Sequence, residues 1–374
     1  MKPRVPELDG IRGAAILLVL IWHYGVCQIR ATDGLLLFLQ TQLNLTWSGV
    51  DLFFVLSGFL LGGILVDHRE SPNLFKVFYV RRALRILPLY FALFFSFLFV
   101  TYALRLDQNR ACKWLFQDPL PLWSYALFTQ NFLMAQEGLF GSQWLGVTWS
   151  LAVEEQFYLV LPLLIRLIPR ARLPQFLLGL ILSAPILRVS FYLFHPHAGY
   201  PGYLLMPARA DALLLGVLGA CWMRSGALRS RWEPNLRWLY GSLAILLLGV
   251  AAMNRMGIGI LSFGMMWFGH TWLALFYLCL ILIACTEKSG VVTRCARNPA
   301  LRWLGRISYG VYMYHQVVSG LVHGLILKQS PRMQTPTDAL VTVLALVLTI
   351  LLSAASWRFF EKGLIDRGHS LKYQ

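Results

Sequence analysis

Arg12 and His23 stand eleven residues apart in the stretch LDGIRGAAILLVLIWHY, Leu8 to Tyr24. On an α-helix that is just over three turns, so guanidinium and imidazole lie on nearly one face, roughly 16 Å apart along the axis. A charged group at the lip of an apolar run, with a titratable ring still inside it, is costly to build into a membrane helix. Insertion scales put a charged side chain at mid-bilayer at about 2.5–3.5 kcal/mol, which makes such residues functional candidates by default. Imidazole suits general-base work near neutral pH. Guanidinium forks suit phosphate oxygens.

Other polar residues occupy similar settings. Asp51 opens a second apolar run in Ser48-Gly49-Val50-Asp51, and Glu154 and Glu155 sit in WSLAVEEQFY. Arg209 and Asp211 open a later run, while Tyr309, Tyr312 and His315 share another. Ser150, Glu154 and Tyr158 fall on one helical face at i, i+4 spacing, which turns Glu154 rather than Glu155 inward. In YVRRALRILP, Arg82 and Arg85 share a face at i, i+3, next to Arg81. Each position also has a plainer reading. Asp51 and Arg209 can simply pair across helices, boundary arginines can be topology anchors, and His270 and His323 can be packed, hydrogen-bonded groups. No GxxxxGK[ST] loop supports a nucleoside triphosphatase. The six cysteines show no CxxC spacing, and no metal is expected. Cys27 and Cys112 fall on the same side, where a pair is conceivable and separate thiols are the simpler reading.

The elements that position these residues are membrane spans. Hydrophobic residues make up 57% of the 374 residues and charged residues 13%, about half the charge of an ordinary soluble domain, with a mean hydropathy of +0.61. Ten runs approach the length needed to cross the hydrocarbon core: 11–29, 49–66, 85–104, 148–166, 174–193, 207–223, 238–254, 261–284, 307–327 and 339–357. The fold class is therefore all-α, one polytopic membrane domain over 1–374. Leu120–Met134 is short and polar, and reads as a re-entrant or interfacial piece. With the N-terminus inside, 24 of the 33 Lys and Arg fall in inner segments, as the positive-inside rule expects, and both termini are cytoplasmic. The net charge of +16 is thereby explained without nucleic acid. Glu7 and Asp9 occupy the place of a basic leader region, so the first run reads as an uncleaved span. The uncharged turn His195–Pro207, rich in Tyr and Pro, is a candidate acceptor entrance or an ordinary surface loop. In this arrangement His23, Asp51, Glu154, Glu155, Arg209 and Asp211 all lie in the outer half and are expected to converge. His315 lies nearer mid-membrane, and the arginine cluster lies at the inner face.

Taken together, LDGIRGAAILLVLIWHY, SGVDLFFVLSGFLLGGIL, RRALRILPLY, TWSLAVEEQFYLVLP, RADALLLG and ISYGVYMYH resemble, in order, the acyltransferase 3 family of integral-membrane acyltransferases. The resemblance covers nearly the whole chain. It implies transfer of an acyl group, typically acetyl, from acyl-CoA to a hydroxyl of a sugar or other acceptor in the cell envelope of a bacterial inner membrane. It also implies that His23 is the essential base and Arg12 its basic partner. Arg82 and Arg85 match the RxxR associated with the donor, and Glu154 or Glu155 the span-4 acid. Arg209, Asp211 and His315 match other recurring positions. Some members carry a fused periplasmic hydrolase-like domain; this sequence, ending at Gln374, is expected to act without that attached module. The expected mechanism docks the acyl-CoA phosphates on Arg82, Arg85 and Arg12, with the thioester near His23 and with Glu154 or Asp51 orienting the imidazole. The alternatives are an acyltransferase for a small macrolide-like or terpenoid-like acceptor and a proton-coupled transporter, which would also place His, Glu and Asp inside spans.

Overall fold

Each of the ten apolar runs forms a long helix in the computed structural model, which describes residues 5–29, 33–225 and 236–374. Helix α1 is Pro6–Leu20, continued by a π-helical turn over Ile21–Val26. Then follow α2 (Gly49–Asp67), α3 (Leu74–Leu98), α4 (Trp149–Leu167) and α5 (Leu173–Phe194). The remaining long helices are α6 (Met206–Arg224), α7 (Leu236–Arg255), α8 (His270–Thr286), α9 (Pro299–Leu327) and α10 (Pro336–Ser356). With their continuations, eight of the ten are long and apolar enough to cross a membrane. The exceptions are α4, which carries Glu154, Glu155 and Arg166, and α9, which carries His315, Gln316 and His323. Both helices hold candidate site residues, Glu154 and Glu155 on one and Tyr309, Tyr312 and His315 on the other.

Some boundaries move. Helix α3 begins at Leu74, so Arg81, Arg82 and Arg85 lie well inside the helix and not at its start. Its first turns mix Lys76 and Arg81 with buried Leu74, Val77 and Phe78, an amphipathic pattern that hydropathy averaging hides. Helix α9 begins at Pro299, because the Asn298 side chain accepts from the Ala300 and Leu301 amides and a proline suits the first helical position. The stretch Leu120–Met134 becomes two short helices, Leu122–Ala126 and part of Gln130–Glu137, neither long enough to span.

Helices α2 and α6 form the centre. Helix α1 packs between α2 and α9, α10 lies on α9, and α5 and α8 lie on α6. Burial of apolar side chains drives no helix association in lipid, so close approach must come from small residues. A β-carbon on Gly58 of α2 would run into the carbonyl of Leu213 on α6, and one on Gly216 of α6 into that of Val55. The same reciprocity joins Gly13 of α1 to Leu301, and Gly305 of α9 to Asp9. Gly13 of the LDGIRG motif therefore lets α1 reach α9.

Candidate active site

His23 sits in the π-helical turn at the end of α1, the kind of local widening that recurs at functional positions. Its Nδ1 is 3.0 Å from the Val19 carbonyl oxygen. Across the α1–α9 interface its ring meets that of His315, centroids 4.7 Å apart and planes at 62°. His315 is fully buried, with Nδ1 2.7 Å from the Tyr312 carbonyl oxygen. Around the pair, the Tyr24 hydroxyl donates to the His315 carbonyl and pairs with the Thr349 hydroxyl. The Gln28 amide donates to the His23 carbonyl and to Ser319. Tyr312 extends the polar line to Ser150 of α4, their hydroxyls 2.6 Å apart. The sequence places His23 in the outer half and His315 nearer mid-membrane; the structure sets the two rings in contact.

A second group lies on α3. Arg81, Arg82 and Arg85 are half-buried. Arg81 and Arg82 line a cleft with Phe78, His369 and Tyr373. The Arg81 guanidinium sits 4.9 Å over the Tyr373 ring, which stacks on His68 at 4.2 Å, and Arg81 also donates to the Leu371 carbonyl. Glu154 and Glu155 belong here. Glu154 accepts from Ser57 at 2.7 Å, Tyr158 donates to the same hydroxyl, and Glu154 interacts electrostatically with Arg82 and Arg85. Glu155 interacts with Arg82 and Glu154. Tyr309 donates to the Ile86 carbonyl beside Arg85. Arg12, with Asp9 3.4 Å away, belongs to the α1 end that packs on α9.

The expected single outer cluster is therefore not what forms. Asp51 is fully buried in an ion pair with fully buried Arg209, with His270 3.8 Å away and the rings of Phe54 and Tyr203 against the guanidinium. Asp211 receives Arg188 at 2.9 Å and Thr271 at 2.6 Å. Among the described residues neither Asp51 nor Glu154 hydrogen-bonds the His23 ring, because each is engaged by a group on the helix it packs against. The orienting role expected of them is corrected accordingly.

The family model for the acyltransferase domain, acyltransferase 3, matches residues 5–358. The chain belongs to the acyltransferase 3 family. Similar proteins include YrhL of Bacillus subtilis, provisionally named a peptidoglycan O-acetyltransferase, 29% identical over 97% of this chain and 55% of its own length. The peptidoglycan O-acetyltransferase OatA of Listeria monocytogenes is 25% identical over 97% of this chain and 56% of its own length. A Staphylococcus aureus protein provisionally named an O-acetyltransferase is 25% identical over 96% of this chain and 56% of its own. The chain spans about half the length of the curated relatives it matches. No solved structure matches it. With its apolar helices, this member of the family is a multi-pass membrane protein.

Two residues of this chain stand out only in the structure. Arg188 of α5, fully buried, donates to Asp211, Thr271 and the carbonyls of Met266 and Ala208. Its signal was a lone arginine in the apolar run LGLILSAPILRVSFYLF. Tyr373, next to the C-terminus, carried no hydropathy signal at all. The six cysteines are free thiols, Cys27 and Cys112 included.

Proposed function

We propose that the chain is a membrane O-acyltransferase that moves an acetyl group from cytoplasmic acetyl-CoA to a hydroxyl of an extracytoplasmic glycan, with His23 as base. The observation that carries this reading is the separation of two chemistries within one bundle. A cleft with stacked aromatic rings and half-buried arginines lies at one end, and an imidazole pair lies at the far end of α1. Guanidinium forks match the phosphates of coenzyme A, and its long pantetheine arm accounts for the distance to the base. The names of the relatives favour peptidoglycan as the acceptor. Arg82 and Arg85 hold the donor, Arg12 lines its path, and Glu154 with Glu155 set the orientation of Arg82.

The test uses purified protein in nanodiscs, labelled acetyl-CoA and muropeptide acceptors. Wild type transfers label and releases coenzyme A. His23→Ala abolishes transfer with donor Kd unchanged, whereas Arg82→Ala raises the donor KM tenfold or more. Near-normal transfer by His23→Ala sinks the proposal.

A further inference from the structure

We propose that His315 is the positioning partner of His23, sharing the proton that His23 takes from the acceptor hydroxyl and so filling the place a carboxylate holds in hydrolase triads. This rests on the reading of His23 as base. The backbone sets the tautomers. Each Nδ1 faces a carbonyl oxygen, Val19 at 3.0 Å and Tyr312 at 2.7 Å. A carbonyl oxygen only accepts, so each Nδ1 carries hydrogen and each Nε2 presents a lone pair. Two acceptors cannot bond each other, and the rings accordingly meet edge to face, 4.7 Å between centroids. A proton on His23 supplies the missing donor. Nε2 of His315 is buried without a hydrogen-bond partner among the described residues, and an unsatisfied buried acceptor is costly enough to call for a reason.

The neighbours leave no competitor. From the π-helical turn, Tyr24 is committed to the His315 carbonyl and Thr349, and from the turn after it Gln28 to the His23 carbonyl and Ser319. From α9, the Tyr312 hydroxyl is committed to Ser150 and to the Val147 carbonyl. From α10, Thr349 donates to the Ala345 carbonyl. The carboxylates of Asp51 and Glu154 are held by Arg209 and Ser57. His23 is half-buried and His315 fully buried, so His23 meets the reactants and His315 acts through it.

The step balances. The acceptor oxygen forms its bond to the thioester carbonyl carbon as its proton passes to Nε2 of His23. The proton is shared with Nε2 of His315 while the tetrahedral oxyanion collapses. The C–S bond breaks, the thiolate leaves with the bonding pair, and the shared proton passes to sulfur. The products are the ester and coenzyme A, and both imidazoles return to their starting tautomers.

His315→Asn tests this, because its amide can still donate to the Tyr312 carbonyl while nothing replaces Nε2. The variant is expected to keep its thermal midpoint and donor Kd and to lose transfer by 10²-fold or more, the range of a lost proton-transfer partner. The acid limb of its rate–pH profile should move to lower pH, since protonated His23 loses a stabilising neighbour. Added imidazole should restore part of the rate. Should the Asn variant not fold, His315→Ala, which likewise puts no acceptor in the place of Nε2, is read by the same assays. Transfer within threefold of wild type with an unmoved pH profile, in whichever variant folds, overturns the inference. His23→Ala is run alongside. An active His23→Ala overturns the base reading itself, whereas an inactive one beside a normal His315 variant overturns only the His315 role.

Discussion

Arg209 and Asp51 show how differently a buried charge reads alone and paired. Both are fully inaccessible and form one ion pair, held among Phe54, Tyr203 and His270. Removing one partner of a buried pair strands the other, typically at about 3–5 kcal/mol, while replacing both can be nearly neutral. Arg209→Met is therefore expected to destabilise the detergent-solubilised protein by about that amount. Adding Asp51→Asn should recover a good part of the loss, with donor Kd unchanged in both, as thermal unfolding and donor titration would show. A fall in donor affinity with stability intact would instead place the pair in the donor site. Why this pairing was one of several readings of the sequence is physical. Hydropathy and loop charge set the depth of a residue, so Asp51, Glu154, Glu155, Arg209 and Asp211 all appear at similar heights. Which ones meet depends on the rotation of each helix about its axis, and that is set by neighbours far away in the chain.

At the scale of the element, the long apolar runs were legible because twenty apolar residues in a row have few other uses. The first turns of α3 were not, since Lys76 and Arg81 interrupt the hydropathy while the buried face continues through Val77 and Phe78. The π-helical turn under His23 has no composition of its own, so straight-helix spacing from Arg12 holds only as far as Leu20. The glycines were visible as residues and silent as contacts. Gly216 lies where a β-carbon would strike the Val55 carbonyl, whereas nothing lies within 4 Å of a β-carbon added at Gly241. Gly216→Leu should push α6 from α2, at a cost of at least the 1–3 kcal/mol typical of roughly one overpacked site, and should lower the thermal midpoint and the activity together. Gly241→Leu, on the outer helix α7, should change neither. Equal tolerance at both positions would mean that α2 and α6 are not packed through their glycines.

At the scale of the whole molecule, described Lys- and Arg-bearing helix ends that lie far apart in sequence gather at one end of the bundle. Glu7 pairs with Arg297, Asp67 with Arg224, and Arg166 with Glu70, while Tyr373 stacks on His68. The opposite end is joined by polar and backbone contacts, Gln28 with Met333 and Asn131 with the Leu204 carbonyl. The gathering of these described Lys- and Arg-bearing helix ends matches the retention of Lys and Arg on the cytoplasmic side during insertion. On the function proposed above, the arginine cleft faces the cytoplasmic acetyl-CoA pool and the imidazole pair faces the acceptor. This sidedness is open to a direct test with thiols. Cys295 is exposed at the basic end, and Gln108 is exposed at the other, beyond α3. In intact cells a membrane-impermeant maleimide should label the Gln108→Cys position and reach Cys295 only after permeabilisation. The reverse pattern would put the arginine cleft outside, away from any cytoplasmic thioester, and the donor would then have to be a different molecule.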